Sequence, residues 1–255
     1  MTLGKSCRDL ANALAAIKLN GEEALWSVRP DGLYHASMDP SHVQLIEVRA
    51  AAKKVSPSRK VEFATNVTDM LKVLNRAASN DSIQFSMAPD HTEKPADYRR
   101  SIHMSLSNPQ RKLEYDVYLI ETTNTIAPLP KHEPQVTMKT EASTIQEVLA
   151  DIAVTSNTIA FETDVAKRAI RFTSSGDTGK AARTLEKSDG VSIEPLGENT
   201  KPVIAKFDIE RMAKYLKAIK ADNIIVEYAT AKPLKIMSSS GNVSTTFYLA
   251  PRAPS

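Results

Sequence analysis

The chain has a single cysteine, Cys7, among 255 residues, and it contains no apolar run long enough to cross a membrane. One cysteine cannot form a disulfide within the chain, and scarce cysteine is typical of a reducing compartment. A membrane-spanning helix needs about 18 or more consecutive apolar residues. The opening residues, MTLGKSCRDL, also lack the apolar core of a signal peptide. We therefore expect no membrane contact, and a location in the cytoplasm or, in a eukaryote, the nucleus.

Patterns that indicate an active site or a metal centre are also scarce. The five histidines show no metal-ligand spacing with the cysteine or with acidic pairs, and none of the eight glycines belongs to a phosphate-cradling loop. The sequence therefore predicts no catalytic residue, no metal and no cofactor. An active site can assemble from residues far apart in sequence. An α+β enzyme that processes phosphates or nucleotides therefore stays open as an alternative.

Charge and size set only broad limits. The chain has 33 basic and 30 acidic residues, for a formal net charge of +3, and 42% of its residues are hydrophobic. A balance this close to neutral is weak evidence about partners, whereas the apolar fraction predicts a packed core. The length fits one large domain or two of ordinary size.

Four segments have apolar residues at helical spacing. The first runs from Cys7 to Leu19, and the second begins after Asn66, which we expect to cap it. The third has Thr144 and Glu147 at capping-box spacing. The fourth is expected to begin after a capping Asp208. Segments with strand character lie between them, and loops are predicted at Ala50–Lys60 and Ala88–Asp97.

A connector divides the chain into two parts. Glu121–Gln135 has three prolines and no helical or strand period of useful length. Such a stretch is typical of an exposed connector between domains. We therefore predict an N-terminal domain at 1–120, a connecting loop at 121–135 and a C-terminal domain at 136–255.

The second half of the chain repeats the first. Val67 and Leu74 of the second helix match Ile209 and Leu216 of the fourth at one constant offset. An internal repeat of this kind indicates two similar units. The predicted fold class is α+β, with two similar domains that each combine antiparallel sheets with two helices.

Three short segments resemble a known family. Residues 38–43 are MDPSHV and precede a short apolar strand, while residues 232–236 are KPLKI and residues 246–252 are TFYLAPR. In this order they resemble the signature segment, closing strands and tail of the sliding clamps of the PCNA type (proliferating cell nuclear antigen and its archaeal relatives). The resemblance spans nearly the whole chain. It implies the DNA clamp fold, in which three copies form a ring of six similar domains with helices lining the hole.

The resemblance also implies a function. It is that of a processivity factor, a non-enzymatic ring that encircles duplex DNA independently of sequence and tethers replication and repair proteins. Its partners would be DNA polymerase, the clamp loader and other proteins with a clamp-binding motif. Its location would be the cytoplasm, associated with the nucleoid, or the nucleus. A homotrimer is expected, and one subunit of a heterotrimeric replication or checkpoint clamp stays open.

Two candidate edge strands could join the copies. They are Lys112–Tyr118 and Lys180–Leu185, one in each half. Unpaired strand edges invite pairing with another chain, and a contact between two different edges closes a ring when it is repeated. The expected subunit interface comprises Lys112, Leu113, Tyr115, Lys180, Ala181, Arg183 and Leu185.

Three of the predicted helices carry cations opposite their apolar stripes. A protein that slides on DNA needs cations for phosphates and no groups that recognise bases. The third helix departs from this pattern, because its outward face carries Glu147 and Asp151 and no cation. An ordinary solvated helix face stays the alternative. The expected DNA-binding residues are Lys5, Arg8, Lys72, Arg76, Lys214, Lys217 and Lys220.

The resemblance finally implies an apolar groove for partner peptides beside the connector. Exposure of Ile126 and Leu129 on a connector would be unfavourable unless they flank such a groove. A short helical turn with aromatic and aliphatic anchors would fill it. Ordinary sheet core remains the alternative for Met38, Val43 and Leu45. The residues carried over are Met38, His42, Val43, Leu45, Ile126, Leu129, Pro130, Pro233, Tyr248, Leu249, Ala250 and Pro251.

Overall fold

The computed structural model describes residues 1–55, 61–87, 100–196 and 201–253. The predicted loop at Ala88–Asp97 and the last part of the loop at Ala50–Lys60 lie outside these residues. The helices are α1 (Cys7–Ile17), α2 (Val67–Leu74), α3 (Ala142–Ile152) and α4 (Ile209–Ile219). None of the described helices is long and apolar enough to cross a membrane.

Strands make up most of the remaining regular structure. Those of the N-terminal half are β1 (Thr2–Gly4), β2 (Glu23–Arg29), β3 (Gly32–Met38), β4 (Gln44–Ala51), β5 (Val61–Asn66), β6 (Ser82–Met87), β7 (Ser101–Asn108) and β8 (Arg111–Ile120). Those of the C-terminal half are β9 (Val136–Glu141), β10 (Thr158–Asp164), β11 (Ala169–Gly176), β12 (Gly179–Leu185), β13 (Ser192–Pro195), β14 (Val203–Asp208), β15 (Asn223–Tyr228), β16 (Leu234–Ser240) and β17 (Val243–Leu249).

The two halves have the same order of elements. In the first, β2 pairs with β3 and β5, and β6 pairs with β1 and β7. In the second, β10 pairs with β11 and β14, and β15 pairs with β9 and β16. All these pairings are antiparallel, and β13 is an additional strand that pairs with β9. The predicted α+β class, with antiparallel sheets and two helices in each half, is confirmed.

The described chain forms two compact units. The first contains Met1–Pro40, Ile46–Pro128 and Ser240–Thr245. The second contains Ser41–Leu45, Leu129–Ser239 and Thr246–Ser255.

Each unit buries the apolar stripes of its two helices. In the first unit α1 packs against α2, and Leu10, Leu14 and Ile17 of α1 are fully buried. In the second unit α3 packs against α4, and the Tyr215 ring of α4 stacks on Phe247 with centroids 4.6 Å apart. Burial of an aliphatic or aromatic side chain contributes about 1.5–3 kcal/mol, so these stripes attach the helices to their sheets. The opposite helix faces are left for solvent or a ligand.

Two of the predicted helix starts are confirmed and one is wrong. The Asn66 side chain accepts a hydrogen bond from Asp69 N, and the Asp208 side chain accepts one from Arg211 N. These bonds satisfy donors that the first helical turn leaves free. The third helix instead begins at Ala142, directly after β9, so the predicted capping box at Thr144 does not form.

Candidate functional site

All seven predicted DNA-binding side chains lie at the surface, but they differ in their partners. Lys72 Nζ lies 2.8 Å from Asp69 Oδ1, and Lys214 Nζ lies 2.5 Å from Glu210 Oε1. Such exposed pairs contribute only about 0–1 kcal/mol, so a phosphate can compete for the cation. The other five form no ion pair with another described residue and comprise Lys5, Arg8, Arg76, Lys217 and Lys220.

The acidic face of α3 is partly neutralised by the strand next to it. Arg183 of β12 donates to Asp151 Oδ2 at 2.6 Å and to Glu147 Oε2 at 3.3 Å. These two carboxylates hold the pKa of Arg183 above its ordinary value. One guanidinium thus serves two carboxylates, and α3 keeps a net negative outward face. Sequence analysis missed this cluster, and the four-residue spacing of Glu147 and Asp151 was its only local signal.

The first predicted edge is unpaired along most of its length. β8 pairs with β7 from Arg111 to Tyr118, whereas its other side pairs with β5 only at Leu119 and Ile120. Leu119 N donates to Arg100 O at 2.8 Å. Because donors alternate along an antiparallel strand, the N–H groups of Lys112, Glu114 and Asp116 point away from β7. These three backbone donors therefore point out from one side of the strand.

A buried ion pair holds the start of this edge strand. The side chain of Asp81 is fully buried and lies 2.5 Å from Arg111 Nη2. It also accepts hydrogen bonds from Ala78 N at 2.8 Å and from Asn108 Nδ2. The bond from Arg111 is the main cause of the lowered pKa of Asp81. Asp81 therefore fixes the turn from which β8 begins.

The second predicted edge is also free. β12 is the last strand of the four-stranded sheet β12–β11–β10–β14 and pairs only with β11 among the described strands. Ala181 and Arg183 are half-buried on the side of α3, and Leu185 is buried. Lys180 is exposed. Each unit therefore offers an open strand edge at the predicted position.

Most residues of the predicted partner groove belong to the second unit. The tail is fixed to the turn before β4, because Ala250 N donates to Val43 O at 2.8 Å. His42 adopts a positive φ of 57° in that turn. Leu129 is 39% exposed, whereas Leu45 and Leu249 are 2% and 0% exposed and belong to the core. The exposed or half-buried members of this unit, which we call the partner groove, are His42, Val43, Leu129, Pro130, Pro233, Ala250 and Pro251.

His132 of the connector is a neighbour of this groove that sequence analysis missed. Its ring meets Tyr248 edge to face with centroids 6.3 Å apart, and its Nε2 lies 3.2 Å from Glu227 Oε2. Lys235 Nζ is 3.1 Å from the same carboxylate oxygen. Burial lowers the pKa of His132 despite the opposing effect of Glu227. These contacts attach the second half of the connector to the sheet of its unit.

The remaining two groove residues belong to the first unit. Met38 ends β3 and is 36% exposed, and Ile126 is half-buried. Ala127 N donates to Ala36 O at 2.9 Å, which places Ile126 beside β3. Met38 is thus the last residue of β3, and Ile126 lies beside the same strand.

The described residues contain no group of three or more histidine, cysteine or acidic side chains arranged to hold a metal. Cys7 is buried, and burial raises its pKa to about 11. His35 is buried between Leu25 O at 2.8 Å and Ser37 Oγ at 2.9 Å, and burial lowers its pKa to about 4. Both side chains are buried in the first unit.

Comparisons with known proteins agree with this geometry. No family model matches the chain. A protein of the archaeon Nitrosopumilus maritimus, described as a DNA polymerase sliding clamp, is 29% identical over 253 residues, which cover 97% of this chain and 96% of that protein. One of Cenarchaeum symbiosum with the same description is 28% identical over 253 residues, with the same coverage.

Solved structures show the same fold. PCNA of Thermococcus kodakaraensis superposes with a TM-score of 0.81 and 18% identity, covering 97% of both chains. Proliferating cellular nuclear antigen of Entamoeba histolytica gives a TM-score of 0.79 and 17% identity, covering 97% of this chain and 96% of that one. The resemblance to the PCNA-type sliding clamps is therefore confirmed along nearly the whole chain, by sequence in the archaeal relatives and by fold in the PCNA structures.

Proposed function

We propose that this protein is a DNA sliding clamp, a processivity factor that encircles duplex DNA and tethers polymerase and other replication and repair proteins. The observation that carries the proposal is the match of the entire chain to archaeal sliding clamps. The repeated α+β halves, each with an open strand edge at the predicted position, agree with it. The protein acts in the cytoplasm at the nucleoid, or in the nucleus of a eukaryote. It binds and positions other molecules and catalyses no reaction.

The assembly is a closed ring of three copies, built from domains 1–120 and 136–255 joined by the loop 121–135. β8 at Lys112–Tyr118 pairs with β12 at Lys180–Leu185 of the next copy. Charge favours the pairing of β8 with β12, because Lys112 is exposed on β8 and the acidic face of α3 lies next to β12. Leu113, Tyr115 and Ala181 provide apolar contacts, the buried Leu185 supports the edge from within its own unit, and Arg183 links α3 to the edge.

The helix faces hold the duplex weakly. Lys5, Arg8, Arg76, Lys217 and Lys220 reach phosphates directly, and Lys72 and Lys214 exchange their carboxylate partners for phosphates. With roughly six phosphate contacts, affinity for DNA falls about a thousandfold between 50 and 200 mM salt. The carboxylates of α3 interrupt the basic lining, which keeps contacts few and sliding fast.

The partner groove recruits short motifs that carry a glutamine and aromatic or aliphatic anchors. We expect such a groove to bind peptides with a dissociation constant of about 1 μM, which corresponds to roughly −8 kcal/mol. Buried anchors contribute unevenly, and a single one is often worth about 2 kcal/mol or more. Leu129, which is 39% exposed, is the most exposed large apolar side chain of the partner groove.

Native mass measurement of the purified protein tests the assembly. A homomeric clamp gives three times the chain mass of 27.9 kDa. A subunit of a heteromeric replication or checkpoint clamp gives the mass of a single chain and forms a ring only with other chains. Turnover of a phosphate or nucleotide substrate by a metal-free sample would instead favour an enzyme.

A further inference from the structure

A groove crosses the outward face of the four-stranded sheet β12–β11–β10–β14. Its volume is about 820 Å³. Ala160 of β10 lies opposite Lys206 of β14 and Thr173 of β11, and Thr173 lies opposite Ala182 of β12. Ala160 on the inner strand β10 and Ala182 on the outer strand β12 leave space on this face, whereas longer side chains border it. We call this surface the cationic groove.

Positive charge dominates the cationic groove. Its lining includes one carboxylate, that of Glu162. It also includes four cationic side chains, those of Arg171, Lys180, Lys206 and Arg252. Arg252 binds the carboxylate of Asp208 at the rim. Arg171 and Lys180 are exposed and form no ion pair with another described residue. The groove therefore has unneutralised cations to offer an anionic ligand.

The C-terminal tail connects the partner groove to the cationic groove within the same unit. Ala250 N donates to Val43 O at 2.8 Å, and two residues later Arg252 N donates to Lys206 O at 2.8 Å. Pro251 thus belongs to the partner groove, and Arg252 lines the cationic groove. A peptide that follows the tail out of one groove enters the other.

We propose that the cationic groove binds acidic residues that flank the clamp-binding motif, on the same partner peptide that occupies the partner groove. This inference rests on the proposed function of the partner groove. Glutamate and aspartate match the cations in sign and form charge-assisted hydrogen bonds with guanidinium and ammonium groups. The volume lies among those of small-ligand pockets, about 300–1,000 Å³, which suits a few peptide residues and is too small for a duplex.

Three peptides with one motif test the proposal by calorimetry. The first has neutral flanks, and the other two carry four glutamates at the amino end or the carboxyl end. We expect one acidic peptide to bind about three- to tenfold more tightly than the neutral one at low salt, since exposed charge pairs contribute modestly. The gain disappears in about 0.5 M salt, where the screening length is only a few ångströms. The other acidic peptide gains little, because the tail leads away from only one end of the motif.

Variants identify the groove. Arg171→Gln lies outside the partner groove and both strand edges, and it reduces the gain of the acidic peptide while the neutral peptide binds as before. Lys139→Gln is the matched control, because Lys139 is an exposed strand cation of the same unit outside the cationic groove. The control retains the gain.

Four results would overturn the proposal. Equal affinity of all three peptides, or a gain that Arg171→Gln leaves intact, removes the cationic groove while the partner groove stands. No binding of the neutral peptide removes the partner groove and this inference with it. A loss of affinity for a short DNA duplex in Arg171→Gln, with peptide affinities unchanged, assigns the groove to nucleic acid.

Discussion

Proline at an outward-facing position of β8 should weaken the ring without damaging the domain. The N–H of Glu114 points away from β7 and has no partner among the described residues. Glu114→Pro removes that donor, and edge strands tolerate proline where the N–H faces outward. Replacement of Leu113 or Tyr115 would be a poorer test, because their N–H groups face β7 and proline there breaks the ladder of the domain itself.

The magnitude follows from the missing hydrogen bond. A buried carbonyl left without its donor costs about 1–3 kcal/mol. A ring of three copies is weakened by this amount at each of three interfaces, or by about 3–9 kcal/mol in total, which raises the dissociation constant to monomers about 10²- to 10⁶-fold. The concentration at half-dissociation scales with the square root of that constant, so it rises about 10- to 1,000-fold.

Sedimentation across a dilution series measures this shift. Glu114→Ala is the matched control, because it removes the same carboxylate, with its exposed contacts to Lys112 and His103, and keeps the backbone N–H. The control should dissociate like the parent. A proline variant that keeps the parent's dissociation profile and a native fold would show that β8 does not form the interface.

Four further predictions concern single side chains. Leu129→Ala should weaken binding of a motif peptide about thirtyfold by calorimetry, since a good anchor is worth about 2 kcal/mol, and unchanged affinity would remove Leu129 from the groove. Lys217→Gln should lower the slope of log affinity for DNA against log salt by about 0.9 for each phosphate that the lysine neutralises, and by more than Lys214→Gln, whose lysine is already paired. Between pH 6.5 and pH 4 the free energy of unfolding should fall by about 3 kcal/mol because the unfolded chain protonates His35 first; His35→Gln should lack this fall in urea titrations. A pKa of about 11 leaves Cys7 about a hundredfold less thiolate than an ordinary cysteine, so the native protein should react with a thiol reagent far more slowly than the unfolded protein, and equal rates would contradict the burial.

Local sequence signals were sufficient to predict most of the helices. The internal repeat was sufficient to predict that the two halves of the chain have similar folds. Asn66 and Asp208 cap their helices through bonds to residues three positions away, which a sequence displays directly. β5 and β14 are hard to predict from sequence because each runs into its helix without a loop, and the capping residue is also the last residue of the strand. The start of α3 was misplaced for a similar reason, since Glu141 ends β9 and makes no side-chain cap.

The candidate sites were harder to predict because they depend on which face of a strand is buried. Leu45 matches the family's groove in sequence, yet it lies in the core of its unit. The cluster of Arg183 with Glu147 and Asp151 joins residues more than thirty positions apart, so only the tertiary fold brings them together. The cationic groove likewise depends on the register of four strands, which sets Ala160 and Ala182 in one row with Thr173 and Lys206.

Encirclement of DNA is the central claim, and a comparison of two forms of one plasmid tests it without a clamp loader. The purified protein is incubated with covalently closed circular DNA or with the same DNA cut once, and co-sedimentation is measured at a salt concentration that suppresses surface binding. A closed ring can thread only over free ends, so the protein should associate with the linear form, remain when bulky groups then block both ends, and stay off the circle. Equal association with both forms would contradict a ring that encloses the duplex.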